Sequence, residues 1–259
     1  MASKQNHSKS QLLLGNIYLK GPPKNRYKSI YYFCLASKNN EPEAFLSLSY
    51  IYMNGELTCC DLNKSIYYLS IAADLNNPIA QCILGYAYYY GEDIPQDLNK
   101  AIHYLKLSAD QNNSNAQFLV GWIFYFKFNS SNKDEAIKYL LLASKQNHPC
   151  ANFMLGQIFC MGHYVPRDIP RSIYHLKIAS DLNDSDAQYT LGQMYFTGEY
   201  VPQDLKKSFH YYSLSLKQKN PYAQLVFAQF YYDGIYLTRD IQKSIYYYYQ
   251  LIKILHLLM

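Results

Sequence analysis

The sequence lacks the features that mark membrane proteins, secreted proteins and the common enzyme classes. No stretch approaches the roughly 18 uninterrupted apolar residues of a membrane-spanning helix, so we expect none. The first residues, Met-Ala-Ser-Lys-Gln-Asn-His, are polar and lack the apolar core of a secretory signal peptide. There is no His-Glu-x-x-His, no Cys-x-x-Cys, no Gly-x-Ser-x-Gly and no phosphate-binding glycine loop. These absences predict a protein that is not an enzyme, without catalytic residues, cofactor or metal.

The six cysteines have no metal-ligand spacing and no fixed place in the repeat described below, whereas a disulfide framework in a repeat protein should recur with the repeat. We therefore expect free thiols and a reducing, cytoplasmic location, which would be the host cytoplasm if the source is a virus or another pathogen. The cysteines are Cys34, Cys59, Cys60, Cys82, Cys150 and Cys160.

Charge gives only weak evidence about partners. Lys and Arg number 24 and Asp and Glu number 19, which gives a net charge of +5. This excess alone does not argue for nucleic acid, because proteins that bind nucleic acid concentrate their positive charge in a patch or stripe. Tyrosine is far more distinctive, with 30 residues. Its ring is apolar and its hydroxyl forms hydrogen bonds, which suits both thin helical cores and binding surfaces.

The sequence repeats itself with a period of about 36 residues, which indicates a helical-repeat array. One position admits only the smallest residues, and an aromatic residue follows three positions later. Because glycine within a helix costs roughly 1 kcal/mol relative to alanine, its recurrence predicts close approach of two helices. The small residues are Gly15, Ser49, Gly85, Gly121, Gly156, Gly192 and Ala228. The aromatic residues are Tyr18, Tyr52, Tyr88, Phe124, Phe159, Tyr195 and Tyr231.

A second helix in each repeat carries its own small residue, with a tyrosine three positions later. His175 occupies one of these tyrosine positions, so we interpret it as a core substitution. Four positions before the small residue stands Asp or Asn, which predicts a helix N-cap. At the shorter loop of the fourth repeat we expect Asn132 and Glu135 to form a capping box. The small residues are Ser29, Ser65, Ala101, Ala136, Ser172, Ser208 and Ser244, and the caps are Asn25, Asp61, Asp97, Asn132, Asp168, Asp204 and Asp240.

The motif A-x-x-x-L-G-x-x-Y-x-x-G, followed by P-x-D and K-[SA]-I-x-Y, resembles the Sel-1-like repeat, a relative of the tetratricopeptide repeat. It is most complete from Ala187 to Gly198 and in the segments 202–204 and 207–208. The resemblance implies an all-α solenoid, a right-handed superhelix of about seven antiparallel helix pairs, and a role as an adaptor that holds other proteins. We expect one array over residues 1–259, with repeats at 8–41, 42–77, 78–113, 114–148, 149–184, 185–220 and 221–256.

Two other functions stay open. Helical repeats of similar length also read RNA, and a basic residue recurs in the first turn of the second helix, where a cation is unfavourable unless it has a partner. The capping carboxylates, or solvent, could equally neutralise these cations. The basic residues are Lys28, Lys64, Lys100, Arg171, Lys207 and Lys243. Cysteine-rich secreted relatives suggest a hydrolase-like activity, but this sequence lacks their recurring cysteine pair.

We expect the protein to be a non-catalytic scaffold whose concave face holds a partner protein or peptide. In the first helix of each repeat, the positions one, four and five residues after the small residue point away from that helix's core face. They are aromatic in the third and fourth repeats and more polar further on. The alternative is that some of these rings, especially those four positions after the small residue, pack between the first helices of neighbouring repeats. The predicted groove residues are Tyr86, Tyr89, Tyr90, Trp122, Tyr125, Phe126, Gln157, Gln193, Phe196, Gln229 and Tyr232.

The C-terminal segment is apolar and, within this sequence, has no helix after it to cover it. We therefore expect residues 251–259, which include Leu255, Leu257 and Leu258, to dock on a partner, on a second copy or back on the last repeat. We expect no DNA, and RNA only as the alternative above.

Overall fold

The computed structural model describes residues 2–22, 25–55, 60–127 and 132–258, with the backbone alone for residues 2–6 and 254–258. These residues form fourteen α-helices and no strand, and none of the described helices is long and apolar enough to cross a membrane. The helices are α1 (Ala2–Lys20), α2 (Arg26–Ser37), α3 (Pro42–Asn54), α4 (Leu62–Asp74), α5 (Pro78–Tyr90), α6 (Leu98–Asp110), α7 (Ser114–Lys127), α8 (Lys133–Lys145), α9 (Pro149–Met161), α10 (Ile169–Asp181), α11 (Ser185–Thr197), α12 (Leu205–Lys217), α13 (Pro221–Asp233) and α14 (Ile241–Leu258).

The chain divides into two compact units, residues 1–126 and 127–259. In the first unit α1 packs on α2, α3 on α4 and α5 on α6, and in the second α9 packs on α10, α11 on α12 and α13 on α14. The predicted architecture, an all-α solenoid of helix pairs, is confirmed.

Each pair is an antiparallel hairpin held closely together at the small residues. In the pair α5 and α6, the Ser108 hydroxyl donates to the carbonyl of Pro78, the first residue of α5. The carbonyl of Ala101, in the first turn of α6, lies beside Gly85 in the middle of α5. In other pairs, a serine in the first turn of the second helix donates its hydroxyl proton to a backbone carbonyl of the first helix. Ser172, for example, donates to the carbonyl of Gly156 at 2.7 Å. The predicted close approach is therefore confirmed.

Capping determines where the second helix of each pair begins. Six of the seven predicted residues each accept a hydrogen bond from the backbone N–H three residues later at 3.0 Å. Asn132 also stands at the N-cap position, of α8, but it has φ −100° and ψ 2° and its side chain makes no cap bond. Because its backbone is not extended, the Asn132 side chain does not supply its half of the capping box that we expected with Glu135.

His175 belongs to the core, as predicted. It is 7% exposed and stacks on Phe159, with ring centroids 5.8 Å apart. Its Nδ1 lies 3.0 Å from Oδ1 of Asn152, which also accepts the hydroxyl proton of Ser144 at 2.8 Å. Burial, assisted by the Arg171 guanidinium, lowers the pKa of His175.

The five described cysteines form no disulfide, which agrees with the expectation of free thiols. Cys59 lies outside the described residues. Burial raises the pKa of the Cys82 thiol to about 11, so this side chain is a packing residue in its neutral form.

Candidate protein-interaction surfaces

Helices α5 and α7 bring six predicted aromatic residues into one continuous group in the first unit. Tyr86 and Tyr90 lie one turn apart on α5, with ring centroids 4.4 Å apart. Tyr89 meets Trp122 of α7 edge to face at 5.7 Å. The neighbouring Phe126 lies 5.1 Å from the Trp122 ring and 5.1 Å from the Tyr125 ring.

Burial separates this group into a floor and a surface. Tyr89 is 8% exposed and supports the other rings, whereas Tyr86 and Tyr90 are each 46% exposed and Phe126 is 58% exposed. Trp122 and Tyr125 are half-buried. We call the five accessible rings the aromatic surface, and they are Tyr86, Tyr90, Trp122, Tyr125 and Phe126.

The aromatic surface has a polar edge. Partial burial, and then Tyr90 and the carboxylate of Glu92, raise the pKa of the Tyr86 hydroxyl. Tyr86 therefore stays protonated and can donate as well as accept hydrogen bonds near neutral pH. Exposed ring faces with a phenol at the edge can bury apolar side chains of a ligand and bind its polar groups.

The second unit has a separate cleft of about 460 Å³ between the first helices of neighbouring pairs. Two predicted residues, Gln157 of α9 and Gln193 of α11, line this cleft. Its apolar wall includes Phe153, Tyr189 and Tyr222. A carboxamide offers one acceptor and two donor hydrogens, so this arrangement can bind a peptide group beside an apolar side chain.

The other predicted residues of the second unit lie elsewhere. Phe196 is half-buried, with ring centroids 5.5 Å from Phe230 and 5.1 Å from Tyr236, so its ring is part of the core. Gln229 is exposed but already donates to the Asp233 carboxylate at 2.9 Å. Tyr232 is 53% exposed, and the Arg239 guanidinium lies 6.0 Å from its ring centroid.

The recurring basic residues have partners inside the chain. Lys207, for example, pairs with the capping carboxylate of Asp204 at 2.9 Å and lies over the Tyr195 ring, 5.3 Å from its centroid. The Lys207 equivalents at 28, 64, 100, 171 and 243 likewise lie over the aromatic residue of the preceding helix. Nothing in this arrangement favours RNA, because the cations proposed to bind it are largely neutralised by the helix caps.

One recurring polar residue is not among the residues predicted from the sequence. Four positions before the small residue, most repeats place a glutamine or asparagine whose side chain is buried, and from the third repeat onward it donates a hydrogen bond to the preceding turn. Gln81 donates to the carbonyl of Ala73 at 3.1 Å, and Gln188 donates to that of Ser180 at 3.2 Å. The spacing was visible in the sequence, but only the structure shows that the amides are buried. These residues are Gln11, Gln81, Gln117, Asn152, Gln188 and Gln224.

Packed helix pairs that recur along each unit, with small residues at their crossings, define an α-helical repeat protein. The sequence matches the Sel1 repeat in seven segments, and the chain belongs to the Sel1 repeat family. Proteins of this family are in general scaffolds for protein interaction. The matched segments are residues 8–41, 43–77, 78–113, 114–148, 151–184, 185–220 and 221–253.

Solved structures share the fold at low identity. A protective antigen of uropathogenic Escherichia coli, with an SLR fold, is 24% identical and has a TM-score of 0.83 over 97% of this chain and 55% of its own. The chain thus spans about half the length of that protein. A Sel1 repeat protein from Oxalobacter formigenes is 24% identical, with a TM-score of 0.71 over 96% of this chain and 72% of its own. A comparison with curated proteins gives no significant match.

Proposed function

We propose that this protein is a non-catalytic scaffold and that its aromatic surface binds an extended or helical segment of a partner protein. The observation that carries the proposal is the exposure of three large rings, Tyr86, Tyr90 and Phe126, around the single tryptophan. Exposed contiguous apolar patches on a protein surface commonly mark interaction sites. Tyrosine and tryptophan also dominate the residues whose truncation costs most binding energy.

The cleft of the second unit supports the same function with different chemistry. Gln157 and Gln193 make no side-chain hydrogen bond to another described residue, so their carboxamides are available to a ligand. We propose that this cleft is a second peptide-binding site, for a segment that places an apolar side chain against Tyr189 and Tyr222. Phe196 is left out of the proposed contacts because its ring is packed in the core.

Selection from a displayed random peptide library tests the aromatic surface directly. Peptides are selected on the wild-type protein, and their affinities are then measured for the triple variant Tyr86→Ala, Tyr90→Ala, Trp122→Ala. We expect the triple variant to lose binding by a factor of about 30 or more, since each hot-spot ring contributes about 2 kcal/mol. Helical content should change little.

Two further variants distinguish loss of the binding site from loss of the fold. Tyr67, 60% exposed on α4, is a matched control, and Tyr67→Ala should retain binding. The double variant Tyr86→Glu, Tyr90→Glu changes only exposed positions and should abolish binding while the fold persists. Selected peptides that bind all these folded variants with wild-type affinity would show that the site lies elsewhere.

A further inference from the structure

The buried glutamines join three segments of chain in the interior repeats. In addition to donating to the preceding turn, their Oε1 atoms accept a hydrogen bond from a second glutamine at the end of the same repeat. Gln111 donates to Gln81 at 2.8 Å, and Gln218 donates to Gln188 at 2.7 Å. Each donor lies thirty residues after its acceptor.

The last repeat breaks this pattern. Gln224 is 4% exposed, and its Oε1 has no hydrogen-bond partner among the described residues, a feature that only Gln11 shares. Thirty residues after Gln224 the sequence has isoleucine, a residue type without a side-chain N–H. A buried acceptor without a donor costs free energy, so a ligand that donates a hydrogen bond here would remove that cost.

A second departure lies in the turn before α13. The turns that end the second helix place an asparagine in the left-handed region in five repeats, whereas the sixth has Lys219 there, with φ 60°. Asparagine tolerates this conformation much better than lysine does. The Asn76 side chain accepts from Gln81, but with lysine in this turn the Gln224 amide donates instead to the backbone carbonyl of Lys219 at 3.3 Å.

Both departures border one cleft of about 550 Å³ between α12, α13 and α14. Lys217, Lys219 and Lys253 line this cleft, and none of them forms an ion pair with a described residue. No described lining residue is acidic. We call this the basic cleft, and define it by Lys217, Lys219, Gln224, Tyr246, Gln250 and Lys253.

We propose that the basic cleft binds an acidic peptide segment, whose carboxylates pair with the three lysines and whose backbone N–H donates to Oε1 of Gln224. The class of partner rests on the proposed scaffold function, but the site and its residues are separate from the aromatic surface. We commit to a peptide because every residue other than proline places a backbone N–H beside its side chain, so that donors and carboxylates recur along one chain. RNA also carries donors, in its 2′-hydroxyls and bases, and the octauridine control detects it. The helix dipole also favours cations at the end of α12, but five equivalent turns use asparagine instead.

The probe is a fluorescein-labelled (Glu-Ala)4 peptide, with (Gln-Ala)4 as the uncharged control and labelled octauridine as the nucleic-acid control. Fluorescence anisotropy with the full chain should show saturable binding of (Glu-Ala)4 alone. Absence of binding by (Glu-Ala)4 at millimolar concentration overturns the proposal. Binding of octauridine without binding of the peptide overturns it in favour of nucleic acid.

Substitutions locate the binding. Lys219→Asn should weaken binding of (Glu-Ala)4 about tenfold, as expected for one lost charge-assisted hydrogen bond, while the melting temperature rises because asparagine tolerates the turn. Lys253→Gln, at an exposed position, should weaken binding similarly without a change in fold. Lys145 occupies the position equivalent to Lys217 at the end of α8, so Lys145→Gln is the matched control and should leave the affinity unchanged.

The hydrogen bond to Gln224 has a test of its own. A (Glu-Ala)4 peptide with N-methylated alanines keeps its charge but loses half of its backbone N–H groups, and it should bind the wild type about tenfold more weakly. This difference should vanish in Gln224→Met. Equal binding of both peptides to the wild type would overturn the assignment of Gln224. The variant Tyr86→Ala, Tyr90→Ala should bind (Glu-Ala)4 normally, so failure of either proposal is distinguishable from failure of the other.

Discussion

Gly85 of α5 lies directly against Leu105 of α6, and a Cβ on Gly85 would come within 2.7 Å of the leucine Cγ. Leu105 is fully buried, so it has no free space into which to move. The same relationship recurs between Gly156 and Leu176, where the distance would be 2.6 Å. Glycine at this position therefore allows the two helices of a pair to approach closely.

We expect Gly85→Ala to lower the free energy of unfolding by about 1–3 kcal/mol, because overpacking in a filled core is destabilising. This would occur although alanine is favoured over glycine within a helix by roughly 1 kcal/mol. The control is Leu105→Ala, which removes the closest contact and leaves the Ala101 carbonyl oxygen 3.1 Å from the added Cβ. In that background Gly85→Ala should cost clearly less than in the wild type, as measured by chemical denaturation. An equal loss in both backgrounds would contradict the packing explanation.

The aromatic surface and its floor should respond differently to truncation. Tyr89→Ala should lower the free energy of unfolding by about 3 kcal/mol, because it removes a buried ring. Tyr86→Ala and Tyr90→Ala should each cost less than about 1 kcal/mol, since both side chains are nearly half exposed. Thermal and chemical denaturation would measure the three values. A large loss for Tyr86→Ala would place this ring in the core and weaken the proposed site.

Two histidines of the second unit should make its stability depend on pH. His148 caps α9 by accepting from the backbone N–H of Ala151 at 3.2 Å, and burial lowers its pKa. The pKa of His175 is also lowered, by burial and by Arg171. The folded state favours the neutral form of both histidines. Their contribution to the free energy of unfolding is therefore complete above the unfolded pKa of about 6.5, and it is lost as the pH falls through their pKa values in the folded state.

The measurement is the free energy of unfolding between pH 7.5 and 4.5. Each histidine can contribute a slope of at most about 1.4 kcal/mol per pH unit. His148→Asn keeps a capping acceptor, as the equivalent Asn77 does, and His175→Tyr restores the tyrosine of the other repeats. Both substitutions should reduce the slope between pH 6.5 and 5. An unchanged slope would assign the pH dependence to other groups.

Helix α14 should contribute to self-association. Ile245, Tyr249 and Ile252 lie on one face of this helix and are 55%, 67% and 51% exposed. The predicted tail residues Leu255, Leu257 and Leu258 follow them, with side chains outside the described residues. We expect the triple change of these leucines to serine to lower the sedimentation coefficient at high protein concentration.

Ile235→Ser is the control for that experiment, because Ile235 is 73% exposed in the loop before α14. It should sediment like the wild type. A wild-type protein that remains monomeric at every concentration would contradict docking of the tail on a second copy. Docking on the last repeat or on a different partner protein would then be the choices left.

The tertiary structure decided how the aromatic residues divide between core and surface. Tyr89 and Phe196 both stand four positions after the small residue, and both were predicted to line the groove. Each ring instead packs against the first helix of the following repeat, Tyr89 on Trp122 and Phe196 on Phe230. The sequence left both outcomes open at this position, because a helical wheel describes one helix at a time and the choice depends on the neighbouring helix.

The sequence by itself determined the repeating helix pairs, six of the seven side-chain caps and the close crossings. These features depend on residues within one repeat, where helical periodicity, capping and the absence of a side chain act over short distances. The unpartnered acceptor of Gln224 and the lysines around it became visible only in the structure, because they come from three different helices. Burial and charge at such a place depend on which segments the fold brings together, so no single stretch of sequence contains them.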